Sequence, residues 1–280
     1  MKKTFIAVFA ITISITTVAL GAELAAIQWN RSNSEALRAF DKTAVEGFVN
    51  ELRGNDPLHV NIGEFAWADL ARDKQLQLVA TEDLSGRLFF DYLAVYQRDQ
   101  SGKVAYQWLS GSGIRDLSKV IRDLNGDGKD ELVIPTTLAS KDSGIWLPTS
   151  RTPTWPAVYR LKDGKYVEAS GDFPGFYNTD VLPQLDKEIG RARRLAVKSG
   201  YQGNVAALVL EKDKILRVIG RDPTAGLKQA YRWMKSDDPQ LLQCAIATFD
   251  DIGGHEEELR TASAALKPAI QREMAAHGGG

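Results

Sequence analysis

Asp123-Leu124-Asn125-Gly126-Asp127-Gly128-Lys129-Asp130-Glu131-Leu132 is the stretch on which the reading of this chain turns. Asp123, Asn125 and Asp127 alternate, so their oxygens converge on one point, and Gly128 permits the sharp turn that this requires. The carbonyl of Lys129 and the carboxylate of Glu131 complete the donor set. Oxygen ligands alone select a hard cation. Calcium suits a flexible loop that supplies this many protein oxygens, because it takes roughly six to eight ligands, whereas magnesium tends to keep its waters. The expected metal ligands are therefore Asp123, Asn125, Asp127, Lys129 and Glu131, with Ca2+ as the cofactor.

The spacing excludes an EF-hand: counted from Asp123, the twelfth position is Ile134, where that motif requires a bidentate Glu. The loop runs instead straight into a short strand, Leu132 to Pro135. An aspartate-rich turn of this kind before a strand resembles the calcium loop of FG-GAP and VCBS repeats, as in integrin-like β-propellers. The resemblance implies that the first, third, fifth and ninth side chains and the seventh carbonyl hold the ion. These fall on Asp123, Asn125, Asp127, Glu131 and Lys129, with Glu131 standing where the family usually has Asp. A second copy, Trp67-Ala68-Asp69-Leu70-Ala71-Arg72-Asp73-Lys74-Gln75-Leu76-Gln77-Leu78, begins 54 residues earlier, counted from Asp69 to Asp123. Ala71 replaces Asn125, Lys74 replaces Gly128 and Gln77 replaces Glu131, so this copy is expected to hold no metal. The resemblance covers roughly residues 58 to 170, and two such units do not close a ring, which needs about four blades or more.

Working outward, Leu76, Leu78 and Ala80 alternate with polar neighbours as in a half-buried strand, and Leu88–Val95 and Val104–Leu109 flank the turn Asp99-Gln100-Ser101-Gly102. Ala157–Leu161 and Tyr166–Ala169 flank Lys162-Asp163-Gly164-Lys165 in the same way. On the N-terminal side, Asn33 and Ser34 cap a helix whose face runs through Leu37, Phe40, Val45, Phe48, Val49 and Leu52 to Gly54. Beyond Pro174, Leu182, Leu185 and Ile189 begin a helical pattern. Asp222-Pro223 and Asp238-Pro239 mark two further helix starts, since proline in the first turn gives up a donor with no partner there. Gly253-Gly254 is a stop, and Leu259, Ala262, Ala265, Leu266 and Ile270 line one side of a last helix. The expected fold is α+β, with an N-terminal helix in 23–56, an antiparallel β domain of two FG-GAP-like units in 57–173 and a helical region in 174–276.

Lys2 and Lys3 before the apolar stretch Phe5–Leu20, with Ala19, Gly21 and Ala22 at its end, read as a secretory signal peptide over residues 1–22. The protein is then expected in the periplasm or outside the cell, with no membrane span after the signal is removed. A formal charge of -1 gives no global field for nucleic acid. Cys244 sits in an apolar helical run and reads as core. His59, His255 and His277 are scattered without zinc spacing, and no phosphate loop or nucleophile motif is present. Trp146, Trp155, Tyr159, Phe173, Phe176 and Tyr177, among Pro148, Pro153, Pro156 and Pro174, form either a core closure or a ligand surface. The function expected is binding, to a protein or an envelope glycan, with calcium in a structural role. The other class left open is a hydrolase acting on an envelope polysaccharide, which needs two carboxylates about 5–10 Å apart.

Overall fold

A computed structural model describes residues 23–54, 60–83, 92–99, 101–111, 113–138, 151–199, 202–222 and 224–277. The expected signal peptide, His59, Trp146 and Pro148 lie outside the described residues. The chain is α+β and divides into two compact units. One is built from the chain up to Pro135 together with Ala157–Glu168, the other from Thr136–Pro156 and the chain from Ala169 onward.

The first unit opens with helices α1 (Ser34–Arg38) and α2 (Lys42–Arg53). The single helical face expected from Leu37 to Leu52 is divided here. Asp41 takes up extended backbone and its carboxylate accepts the Ala44 N–H, which starts a new helix. Strands β1 (Asn61–Ala68), β2 (Gln77–Asp83), β3 (Tyr92–Arg98) and β4 (Val104–Ser110) follow as an antiparallel sheet in that order. Between β3 and β4 the Asp99 carboxylate collects the N–H groups of Ser101 and Lys103, so the expected turn forms. A short helix α3 (Leu117–Val120) leads to β5 (Ile121–Arg122), β6 (Glu131–Thr137), β7 (Thr154–Lys162) and β8 (Lys165–Glu168), a second four-stranded sheet in sequential order. Asp163 and Gly164 both have positive φ, 50° and 78°, the backbone that a two-residue hairpin turn requires.

Alternate residues of the first sheet enter different cores. Leu78, Ala80, Ala94 and Tyr96 join Val45, Phe48 and Val49 of α2. Val79, Leu93 and Val95 join Leu132 and Ile134 of the second sheet. The first sheet is thus sandwiched between helices and the second sheet. This corrects the expectation of a half-buried strand around Leu78: β2 is buried along its whole length, including Thr81, Glu82 and Asp83. Glu82 is tolerated there because Arg53, Tyr96 and Trp108 all donate to its carboxylate.

In the second unit the helical turns Pro174–Phe176 and Tyr177–Val181 lead into α4 (Leu182–Ser199). Helices α5 (Gly203–Val218), α6 (Thr224–Trp233), α7 (Pro239–Ile252) and α8 (Glu256–His277) complete it. Asp222 accepts the Thr224 N–H, and Asp238 accepts those of Gln240 and Leu241, so each expected Asp-Pro start is a cap. Sequence reading missed α5. It buries Ala206, Ala207, Leu208, Leu210 and Ile215 on several sides and so shows no single apolar stripe. Cys244 is fully buried, and burial pushes its thiol well above the ordinary range. Trp155, Phe173, Phe176 and Tyr177 are buried too, with the Tyr177 hydroxyl donating to the Pro156 carbonyl at 2.6 Å. Among the described residues no helix is long and apolar enough to cross a membrane.

Candidate metal centre

Four of the five residues read as ligands, Asp123, Asn125, Asp127 and Lys129, lie on the loop between β5 and β6, and the fifth, Glu131, is the first residue of β6. Gly126 and Gly128 have φ of +73° and +84°, the left-handed region where a side chain costs roughly 1–2 kcal/mol. No atom lies where a Cβ on either would sit, so glycine is favoured here by the backbone alone. The reversal is held from inside. Asp123 accepts the N–H groups of Gly126 at 2.7 Å and Gly128 at 3.0 Å, one on each carboxylate oxygen. Asp127 accepts the Lys129 N–H at 2.8 Å and the Asn125 side-chain amide at 3.0 Å, while the Asn125 oxygen takes the Asp127 N–H. The Lys129 N–H, followed by the Asn125 amide, holds the exposed Asp127 carboxyl below its ordinary range.

Glu131 differs from the others. It opens β6 with no exposed surface, and its Oε2 accepts the Leu124 N–H at 3.0 Å. Its Oε1 is buried with no hydrogen-bond partner. Burial first, and then the charges of Asp127 and Asp123 against the opposing pull of the Leu124 N–H, leave its carboxyl above the ordinary value. A buried carboxylate oxygen with neither donor nor counter-charge is unfavourable, and a cation coordinated among these oxygens would supply the missing charge. The donor chemistry fits a hard divalent ion: all oxygen, three carboxylates, an amide and the Lys129 carbonyl on one turn. As they stand, the carboxylates close on backbone amides, and among the described residues no three His, Cys, Asp or Glu side chains are gathered as a metal-holding group.

The loop between β1 and β2 is the structural twin of this one. Asp69 accepts the Lys74 N–H at 3.0 Å, as Asp123 accepts that of Gly128. Asp73 accepts the Gln75 N–H as Asp127 accepts that of Lys129. The Leu70 N–H donates to Gln77 Oε1 at 2.9 Å, as that of Leu124 donates to Glu131 Oε2. Arg72 and Lys74 even adopt positive φ, 58° and 71°, where the other loop has Gly126 and Gly128. The loops touch through the Asp130 N–H, which donates to the Leu70 carbonyl.

Their charges are closed differently. Arg31 Nε reaches Asp69 Oδ2 at 2.7 Å. The guanidinium is placed by the backbone, since the Arg31 N–H donates to the Lys74 carbonyl and the Leu76 N–H to that of Trp29. Gln77 is neutral where Glu131 is a carboxylate. The sequence signalled Gln77 and Lys74 as departures from the ligand pattern, but Arg31, 38 residues from Asp69, carried no local signal. No family model, curated protein or solved structure matches the chain.

Proposed function

We propose that this is an exported, periplasmic or secreted binding protein of the FG-GAP and VCBS kind. One calcium ion on Asp123, Asn125, Asp127, Glu131 and the Lys129 carbonyl would hold its β unit in a binding-competent form. The observation that carries the reading is the buried, unpartnered Oε1 of Glu131, in a loop whose twin meets the same demand with a guanidinium and a neutral glutamine. The ion acts structurally here: it neutralises the loop and fixes the entry of β6. Partners are a protein or an envelope glycan. The hydrolase reading draws little support from the aromatic segment, of which Trp155, Phe173, Phe176 and Tyr177 are buried and Tyr159 is half-buried.

Thermal unfolding in EDTA and in millimolar calcium tests the proposal. Calcium is expected to stabilise the protein by about 2.7 kcal/mol when free ion is about a hundredfold above its dissociation constant. Asp127→Ala is expected to remove that difference. Equal melting of the wild-type protein in the two solutions would sink the calcium reading.

A further inference from the structure

In the helical unit, α5 and α6 converge at one end and leave a groove along the rest of their length. The convergence is set by Gly226, where an added Cβ would sit 2.2 Å from the Asp213 carboxylate, so only glycine lets α6 approach α5 this closely. Beside that contact, near Leu216 and Gly226, lies a space of about 190 Å³, and a wider one of about 490 Å³ lies beside Val205 and Leu241. Val209, Gln229 and Trp233 line both spaces. Trp233, 7% exposed, gives both an apolar surface.

The charge of the two ends differs. At the narrow end Lys212 is paired with Asp186 and Asp213 with Arg217, so those charges are already closed. At the wide end Arg193 and Arg232 line the space beside the amides of Gln202 and Gln229, and among the described residues no carboxylate lines it with them. Two arginines in one lining with Val205, Val209, Trp233 and Leu241 are complementary to a ligand with an anionic head and an apolar body. The wide space alone, about 490 Å³, is in the range of roughly 300–1,000 Å³ typical of small-molecule sites. We propose that this groove binds a small amphipathic carboxylate, its head group between Arg193 and Arg232 and its aliphatic body along Val209 and Trp233. The guanidinium fork matches a carboxylate in geometry as well as charge, which fixes the direction in which such a ligand enters.

Isothermal titration of the full chain with sodium decanoate tests the assignment. Saturable one-to-one binding is expected. The double variant Arg193→Glu with Arg232→Glu is expected to weaken it at least about tenfold, the equivalent of one charged hydrogen bond. Val209→Trp, which fills the channel from its wall, is expected to abolish it. Arg221→Glu, at a position outside the groove lining, is expected to leave it unchanged, and circular dichroism confirms that each variant is folded. Absence of binding to the wild-type protein would overturn the proposal. So would binding that a folded Arg193→Glu, Arg232→Glu variant retains in full, or an equal loss in Arg221→Glu, which would reduce the effect to net charge.

Discussion

The loops that begin at Asp69 and Asp123 have nearly the same backbone and opposite solutions to one electrostatic problem. Each turns on an aspartate that gathers backbone N–H groups, and each is tied back by the first side chain of the next strand. The earlier loop closes its charge within the chain, with the Arg31 guanidinium on Asp69 and the neutral Gln77 under Leu70. The later one keeps a buried carboxylate at that second place and has glycine at both left-handed positions. The turn itself is therefore specified by side-chain oxygens accepting backbone N–H groups, while the source of positive charge is a separate choice. One loop takes it from a distant arginine, and the other is suited to an ion from solution.

The comparison breaks most clearly at Glu131. Glu131→Gln is expected to abolish the calcium-dependent stabilisation of about 2.7 kcal/mol while leaving the protein folded, because a Gln77-like amide still accepts the Leu124 N–H. The pH dependence sharpens this. Glu131 titrates above its unfolded value, so the folded state holds the proton more tightly. Stability from this group is then fully present below the unfolded carboxylate value and is lost as pH rises through the raised folded one. In EDTA, the stability advantage of Glu131→Gln over wild type is expected to grow across that window and level off above it, as urea unfolding at a series of pH values would read.

Arg31→Ala removes the internal counter-charge from Asp69. A loss of about 1–2 kcal/mol is expected, since Asp69 is buried but keeps its two backbone donors and Arg31 is itself half exposed. If unfolding by urea shows no loss, Arg31 is an ordinary surface ion pair and not a substitute for a cation. Combining Arg31→Ala with Ala71→Asn, Lys74→Gly and Gln77→Glu is expected to raise the terbium stoichiometry of the protein from one to two. The smallest effect is expected from Lys74→Gly alone, a gain of about 0.5–1 kcal/mol as the left-handed strain at φ 71° is released against the added chain entropy of glycine. Gly128→Ala in the other loop should have the opposite sign.

Much of the molecule was written locally. The alternating oxygens of Asp123, Asn125 and Asp127, the Asp99 and Asp163-Gly164 turns and the two Asp-Pro helix starts all act within a few residues, so the sequence displays them directly. The repetition of the Asp-Leu loop 54 residues apart was equally legible, because turns of the same backbone are closed by the same residue types at the same places. Tertiary structure alone decided the rest. It set β2 between two cores, wrapped α5 in apolar contacts on several sides, split the N-terminal helix at Asp41 and carried Arg31 to Asp69. Each of these depends on what covers a surface or on which distant charge arrives there, and a side chain's local periodicity holds no record of its neighbour across space.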